Sequence, residues 1–162
     1  MADIRIAGHA GKCASEKSGT RVFLTIGQAN QVAVMDRKKE QVVATWLVTG
    51  VSAAVDEAHH RLFVASRTPP SVIVLDSESG RVVTTLAGGD LPQGIFSDAA
   101  LWRICVSCGE GFVSVYQQLD AGHYDTVARI PTAPDARTSL LVPELKRFYL
   151  ELPRHDNREA EV

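Results

Sequence analysis

The chain contains little cysteine and no long apolar run. Three of its 162 residues are cysteines, at Cys13, Cys105 and Cys108, and this odd, sparse set does not indicate a disulfide framework. No apolar stretch approaches the roughly 18 residues that a membrane-spanning helix needs. The first residues also lack the pattern of a secretory signal. The sequence therefore predicts no membrane insertion and, as written, a cytoplasmic protein.

Positive charge is not concentrated anywhere in the sequence. The chain has 17 Lys and Arg residues against 19 Asp and Glu residues, which gives a net charge of −2. Nucleic acids and anionic membranes attract proteins through clustered basic side chains. The composition thus disfavours nucleic acid as a partner and leaves a protein or a small polar ligand as the expected one.

The motifs of several enzyme classes are also missing. The sequence contains no nucleophile elbow, zinc-protease motif, P-loop or dinucleotide fingerprint. The glycine-rich segment 88–94 precedes a strand pattern, whereas a phosphate cradle requires a following helix. We therefore predict no catalytic residue, no metal ligand and no cofactor.

Two groups of reactive side chains allow two interpretations each. Cys105 and Cys108 have the C-x-x-C spacing of redox or zinc sites, but a strand would point them to opposite faces, and Cys105 then fits a core position. Residues 56–60, "DEAHH", could form a metal or acid–base site or a solvated turn. The turn is the favoured interpretation, because polar residues are expected between paired strands.

The sequence repeats one pattern four times. Arg21, Arg61, Arg103 and Arg147 each open an apolar run, at spacings of 40, 42 and 44 residues. A period near 40 with several short strands in each unit is typical of β-propeller blades. The runs alternate with period two and are rich in Val, Ile and Thr, which favours strands over helices.

We predict an all-β propeller of four-stranded antiparallel blades in one domain, residues 1–162, with repeats at about 10–46, 51–86, 93–130 and 137–162. The expected inter-blade core includes Phe63, Val64, Val72, Val74, Val83, Ile95 and Ile104.

The sequence at the two ends of the chain allows more than one way to close the propeller. The last unit supplies only three strands by sequence, and residues 3–7, "DIRIA", resemble a further one. Pairing of 3–7 with a strand near 158–162 would complete four blades of four and remove exposed edges. This pairing could occur within one molecule, as a closed four-blade wheel, or between two, as a homodimer joined through terminal strands. The alternative is half of a larger wheel.

The repeat resembles the YVTN-type β-propeller repeats of bacterial and archaeal proteins. The matching residues are "RLFV" at 61–64, "VIVLD" at 72–76, "SG" at 79–80 and "VVTTL" at 82–86, and the resemblance covers roughly residues 20–150. It implies more blades, commonly seven, and a periplasmic or extracellular location. It brings no catalytic residues with it.

A binding site is expected on the face that carries the loops between blades, near the central channel. Polar residues there are not explained by the repeat itself. The candidates for contact with a ligand or partner are Arg67, Asp90, Gln93, Glu110, Asp135, Arg137 and His155. The function expected is a non-enzymatic binding or interaction scaffold. The alternative is a metal-dependent, lactonase-like hydrolase that uses the channel, although the inner strands offer few carboxylates for an ion.

Overall fold

The structure, a computed structural model, describes residues 3–154 and 159–162. It contains fourteen strands in four antiparallel sheets, which we call blades 1 to 4 in chain order. Helical structure in the described residues is limited to two 3-10 turns, Gly27–Ala29 and Pro143–Leu145. Neither turn has the length or apolar character to cross a membrane. The all-β prediction is confirmed.

Among the described residues, three blades have four strands each and the fourth has two. Blade 1 contains β1 Cys13–Ser15, β2 Arg21–Ile26, β3 Gln31–Asp36 and β4 Gln41–Leu47. Blade 2 contains β5 Ser52–Asp56, β6 Arg61–Arg67, β7 Pro70–Asp76 and β8 Val82–Ala87. Blade 3 contains β9 Pro92–Asp98, β10 Arg103–Cys108, β11 Phe112–Gln118 and β12 Tyr124–Pro131. Blade 4 contains β13 Ser139–Val142 and β14 Arg147–Leu150.

The second strand of every blade begins at the arginine that marks the repeat. In blades 2, 3 and 4 the residue before this arginine has a left-handed backbone, at His60, Trp102 and Lys146, with φ of 53°, 54° and 52°. A single left-handed residue reverses the chain at the end of the tight turn and returns it to the strand direction. The recurrent turn geometry therefore sets the register that the sequence repeat displays.

Two aspartates hold the turn between the third and fourth strands. The Oδ1 atom of Asp36 accepts hydrogen bonds from the backbone N–H groups of Lys38 and Lys39, each at 2.9 Å. One repeat later, Oδ1 of Asp76 accepts hydrogen bonds from the N–H groups of Glu78 and Ser79. The Ser79 hydroxyl also donates to Asp76 Oδ1 and contributes most to lowering the pKa of Asp76, while the backbone hydrogen bond from Lys39 contributes most to lowering that of Asp36. The two aspartates therefore cap equivalent turns one repeat apart.

The core lies between blades. One cluster joins blades 1 and 2 and includes Phe23, Leu62 and Val64, and a second joins blades 2 and 3. Alternate residues of β5, β6 and β7 enter the two clusters, because strand side chains alternate between faces. Of the predicted core residues, six are buried, and Val83 packs against the second cluster while half-buried. The buried six are Phe63, Val64, Val72, Val74, Ile95 and Ile104.

The ends of the chain differ from the predicted closure. Residues 3–7 form no strand, and within the described part of the chain they do not pair with 159–162. Glu161 instead forms an antiparallel bridge with Leu152, immediately after β14. Leu140 and Tyr149, on the far face of blade 4, are 56% and 39% exposed. Across residues 3–154 and 159–162 the four blades therefore form an open arc, without the terminal strand pairing that would close a four-blade wheel.

Candidate functional site: a polar groove along the inner strands

The first strands of the four blades, β1, β5, β9 and β13, lie side by side and enclose a groove of about 430 Å³. We call it the inner groove. Small side chains predominate in β1 and β5, whereas β9 and β13 also contribute larger apolar residues to the wall. The polar residues lining this part are Lys12, Ser15, Lys17, Ser52, Ser97 and Ser139, beside apolar residues such as Ala53, Ile95 and Leu141.

The inner groove continues into a second cavity of about 640 Å³ at the turns that follow the inner strands. The two cavities share wall residues, among them Ser15, Lys17 and Ser97. Asp56, Glu57 and Asp98 enter the wall only in this second part. The groove thus combines two lysines with serine hydroxyls and, towards one end, carboxylates.

A buried serine fixes one side of the groove. Ser107 Oγ donates a hydrogen bond to the Arg137 carbonyl at 2.6 Å, lies 2.7 Å from Ser139 Oγ and accepts the N–H of Gly94 at 3.2 Å. A Cβ atom on Gly94 would lie 2.1 Å from Ser139 Oγ, so glycine leaves the room that this contact needs. The hydroxyl joins β9, β10 and the start of β13, and thereby sets how blade 4 meets blade 3.

The structure brings the described candidates from the sequence onto one loop face. The Gly109 N–H donates to the Leu91 carbonyl at 3.0 Å, and the Gly109 carbonyl accepts the Asp135 N–H at 2.8 Å. Arg67 Nε reaches the Pro92 carbonyl at 3.5 Å. These contacts draw together the loops that carry Arg67, Asp90, Gln93, Glu110, Asp135 and Arg137. His155 lies outside the described residues.

These loop candidates do not line the inner groove. Asp90 and Glu110 line a separate cleft of about 290 Å³ between blades 2 and 3. There Glu110 Oε1 accepts a hydrogen bond from Arg129 Nη2 at 2.6 Å, and the Arg129 guanidinium lies 4.2 Å from the centre of the Phe112 ring. Arg137 lies 3.9 Å from the carboxylate of Asp135. Glu110 and Arg137 therefore already have charged neighbours within the protein.

Sequence reasoning missed the residues that line the inner groove. Ser52, Ser97 and Ser139 belong to the inner strands, where alternation and small size look like ordinary strand composition. The usable signal was the small side chains of β1 and β5, but β9 and β13 do not share it. Lys12 and Lys17 flank the short strand β1, the least regular copy of the repeat.

The "DEAHH" segment forms the turn between β5 and β6. Asp56 is buried and its Oδ2 lies 2.7 Å from His59 Nδ1, while the His59 ring packs on Trp102 at 4.1 Å between ring centres. The equivalent Asp98 in blade 3 accepts the N–H groups of two turn residues, Ala100 and Leu101. These contacts describe a capped turn. No group of three or more His, Cys, Asp or Glu residues within 3–154 and 159–162 is placed to hold a metal ion.

The cysteine pair of β10 contains two free thiols. Cys105 is half-buried and Cys108 is buried. Burial raises the pKa of the Cys105 thiol and raises that of Cys108 to about 11. Because the thiolate is the reactive form, neither cysteine is activated for redox chemistry at neutral pH.

Comparison with known proteins gives a likeness in structure. No protein-family model and no curated protein matches the chain. Hydrazine synthase of Kuenenia stuttgartiensis is similar at a TM-score of 0.78 and 21% identity, over 88% of this chain and 42% of that one. A structure of the mitotic checkpoint complex gives 0.75 and 16%, over 89% and 46%. BamB from Moraxella catarrhalis gives 0.63 and 12%, over 82% and 38%.

The fold is that of a β-propeller. At these identities the likeness establishes the fold and nothing more specific. The chain spans less than half the length of each of these three proteins. This agrees with the open arc of three complete blades and a two-stranded fourth.

Proposed function

We propose that the protein is a non-enzymatic binding scaffold that takes a polar ligand, or polar side chains of a partner protein, into the inner groove. The observation that carries the proposal is the continuity of this groove along all four inner strands, with Lys12 and Lys17 beside serine hydroxyls. Ligand sites are concave, with a few polar groups that converge on the ligand. The loop face with Arg67, Gln93, Asp135 and Arg137 would serve as the rim for a larger partner.

The charges in the groove narrow the ligand class. Lysine ammonium groups pair with carboxylates or phosphates, and the serine hydroxyls both donate and accept hydrogen bonds. We infer a ligand that carries an anionic group together with hydroxyl or amide groups, such as a sugar acid or an acidic peptide. One of the structurally similar chains comes from a structure of the mitotic checkpoint complex, which supports a partner protein as the alternative to a small ligand.

We also propose that the chain belongs to the YVTN-type propeller repeats, with the periplasmic or extracellular location that this resemblance implies. The matched residues support it by their positions: 61–64 open β6, 72–76 end β7, and 82–86 form most of β8. Homodimerisation through terminal strands is a further part of the proposal. Ile4 and Ile6 alternate as half-buried residues, which would suit a strand added to another copy's fourth blade.

The lactonase-like alternative has weak support from the geometry. A channel metal would need several carboxylate or amide oxygens around one point. The lining of the inner groove in its first cavity contains hydroxyls, lysines and apolar groups, and no Asp or Glu among the described residues. Metal analysis of the purified protein tests this alternative, since a stoichiometric divalent ion would favour it.

A thermal-shift screen tests the scaffold proposal. Sugar acids, dicarboxylates and short acidic peptides are added to the protein, and a ligand that binds the folded state raises the melting temperature. The double variant Lys12→Glu/Lys17→Glu should abolish the shift. The matched control is Lys38→Glu/Lys39→Glu, which makes the same charge change at an exposed turn away from the groove. Equal shifts in both variants would refute binding in the inner groove.

A further inference from the structure

The open arc has two end faces with apolar character. The face of blade 1 that points away from blade 2 carries Val22, Leu24 and Met35, which are half-buried, and the exposed Cys13. We call it the first face. The last face is the side of blade 4 that points away from blade 3, where the paired residues Leu140 and Tyr149 are exposed.

On the last face, Tyr149 occupies the repeat position at which blades 1 and 2 have a buried phenylalanine ring. Tyr149 stands two residues after its arginine, as Phe23 and Phe63 do in blades 1 and 2. Phe23 and Phe63 are 0% exposed, each in the cluster between its own blade and the next one. Tyr149 is 39% exposed because no described residue forms a following blade.

The first face carries the residues with which a blade packs on the blade before it. Val22 and Leu24 stand one and three residues after Arg21. Their equivalents in blade 2, Leu62 and Val64, are 0% exposed against blade 1. Those in blade 3, Ile104 and Val106, are 1% exposed against blade 2. The two end faces of the arc therefore carry the two halves of the interface that successive blades form with each other.

We propose that a second copy of this chain covers both faces, so that two arcs join head to tail into one ring. The last face of each copy packs on the first face of the other, and a two-fold axis along the channel relates them. The ring contains eight inner strands, hence eight blades, which is within the range of about four to eight known for propellers. This assembly goes beyond strand pairing at the termini, since the blade faces supply the buried apolar surface.

The ring also changes the inner groove. In one arc the groove is open on the side where β1 and β13 are not joined by a blade interface. In the ring, the grooves of both copies face one shared channel, and Lys12 and Lys17 contribute twice. A ligand that binds there would contact both copies.

Sedimentation equilibrium of the 162-residue chain over a range of concentrations tests the ring without any ligand. The expected species is a dimer of about 35 kDa, twice the 17.5 kDa of one chain. A monomer at every concentration, or growth beyond the dimer into longer assemblies, would overturn the proposal. A monomer that still binds anionic ligands would leave the proposed ligand binding in the inner groove intact.

A matched pair of variants locates the interface. Leu140→Asp places a charge on the last face, and Leu119→Asp makes the same change at an equally exposed leucine in the loop after β11, since each is 56% exposed. We expect Leu140→Asp to weaken the dimer on the order of a hundredfold, and Leu119→Asp to leave it unchanged. Circular dichroism checks that both variants keep the β structure. Equal effects, or no effect of Leu140→Asp in a folded protein, would overturn the assignment of this face.

Discussion

The carboxylate of Glu57, in the first turn of blade 2, accepts a hydrogen bond from the hydroxyl of Ser18 in blade 1 at 2.6 Å. The backbone N–H groups of Lys17, Ser18 and Gly19 donate to the same carboxylate at 2.9, 3.2 and 2.6 Å. The Ser18 hydroxyl contributes most to lowering the pKa of Glu57, which falls to about 2. One ionised side chain thus fastens the loop before β2 to the neighbouring blade.

The first prediction follows from this contact and concerns acid stability. The pKa of Glu57 in the folded protein lies below its ordinary value of 4.5. The stabilisation is therefore fully present above about pH 4.5 and is lost as the pH falls towards about 2. Glu57→Gln should reduce the fall of the urea midpoint across this window. Glu144→Gln, a change at an exposed residue outside the contact, serves as control. Parallel pH profiles for wild type and Glu57→Gln would contradict the assignment.

The second prediction concerns the glycine that ends the turn between β7 and β8. Gly80 has φ of +73°, and a Cβ there would lie 2.3 Å from the ring of Trp46 in blade 1. Gly80→Ala combines backbone strain with a clash between blades, so we expect a loss of unfolding free energy of about 1–3 kcal/mol. Gly122→Ala is the matched control, since the nearest atoms to its Cβ lie 3.9 Å away. Chemical denaturation of both variants gives the comparison, and equal midpoints would refute the role of Gly80.

The third prediction compares two valines of blade 2. Val74 is 0% exposed between blades 2 and 3, and Val82 on the outer strand is 53% exposed. Truncation of a buried valine removes apolar contacts and leaves a small cavity, so Val74→Ala should cost about 1–3 kcal/mol. Val82→Ala should cost less than about 0.5 kcal/mol. Urea unfolding at pH 7 measures both, and a Val74→Ala midpoint equal to wild type would contradict its place in the core.

The fold could be predicted from the sequence because the turns recur with the strands. The arginines at 21, 61, 103 and 147 begin β2, β6, β10 and β14, and Asp36 and Asp76 cap equivalent turns. Each signal lies within a few residues of the feature that it determines. Closure of the wheel depends on contacts between distant blades, which no local pattern encodes. The segment 3–7 alternates like a strand, yet it lacks a partner within the described chain.

The inner groove could not be predicted from the sequence, for a physical reason, and the loop candidates remain predictions. Loop residues such as Glu110 and Arg137 are noticeable because the repeat does not explain their charge, but charged neighbours within the protein already contact them. The serines of the inner groove lie on regular strands, and they line one cavity only because four strands converge. Convergence is a property of the arc, so an individual strand does not reveal it.

The last prediction orders the three thiols by reactivity. Cys13 is exposed on the first face, Cys105 is half-buried and Cys108 is fully buried with its pKa raised to about 11. Because the thiolate reacts, Cys108 should react only when the protein opens, and its rate should follow the unfolding equilibrium.

Ellman's reagent at pH 8 should therefore modify Cys13 at once in dilute protein, Cys105 slowly, and Cys108 last. Cys13→Ser removes the fast phase and serves as the control for its assignment. If the ring forms, a high protein concentration slows the Cys13 phase alone, because the second copy covers the first face.

After denaturation, protein purified in air should still show three thiols, since Cys105 and Cys108 point to opposite faces of β10. A single thiol after denaturation would mean that the two are joined, and would contradict the strand geometry assigned to them.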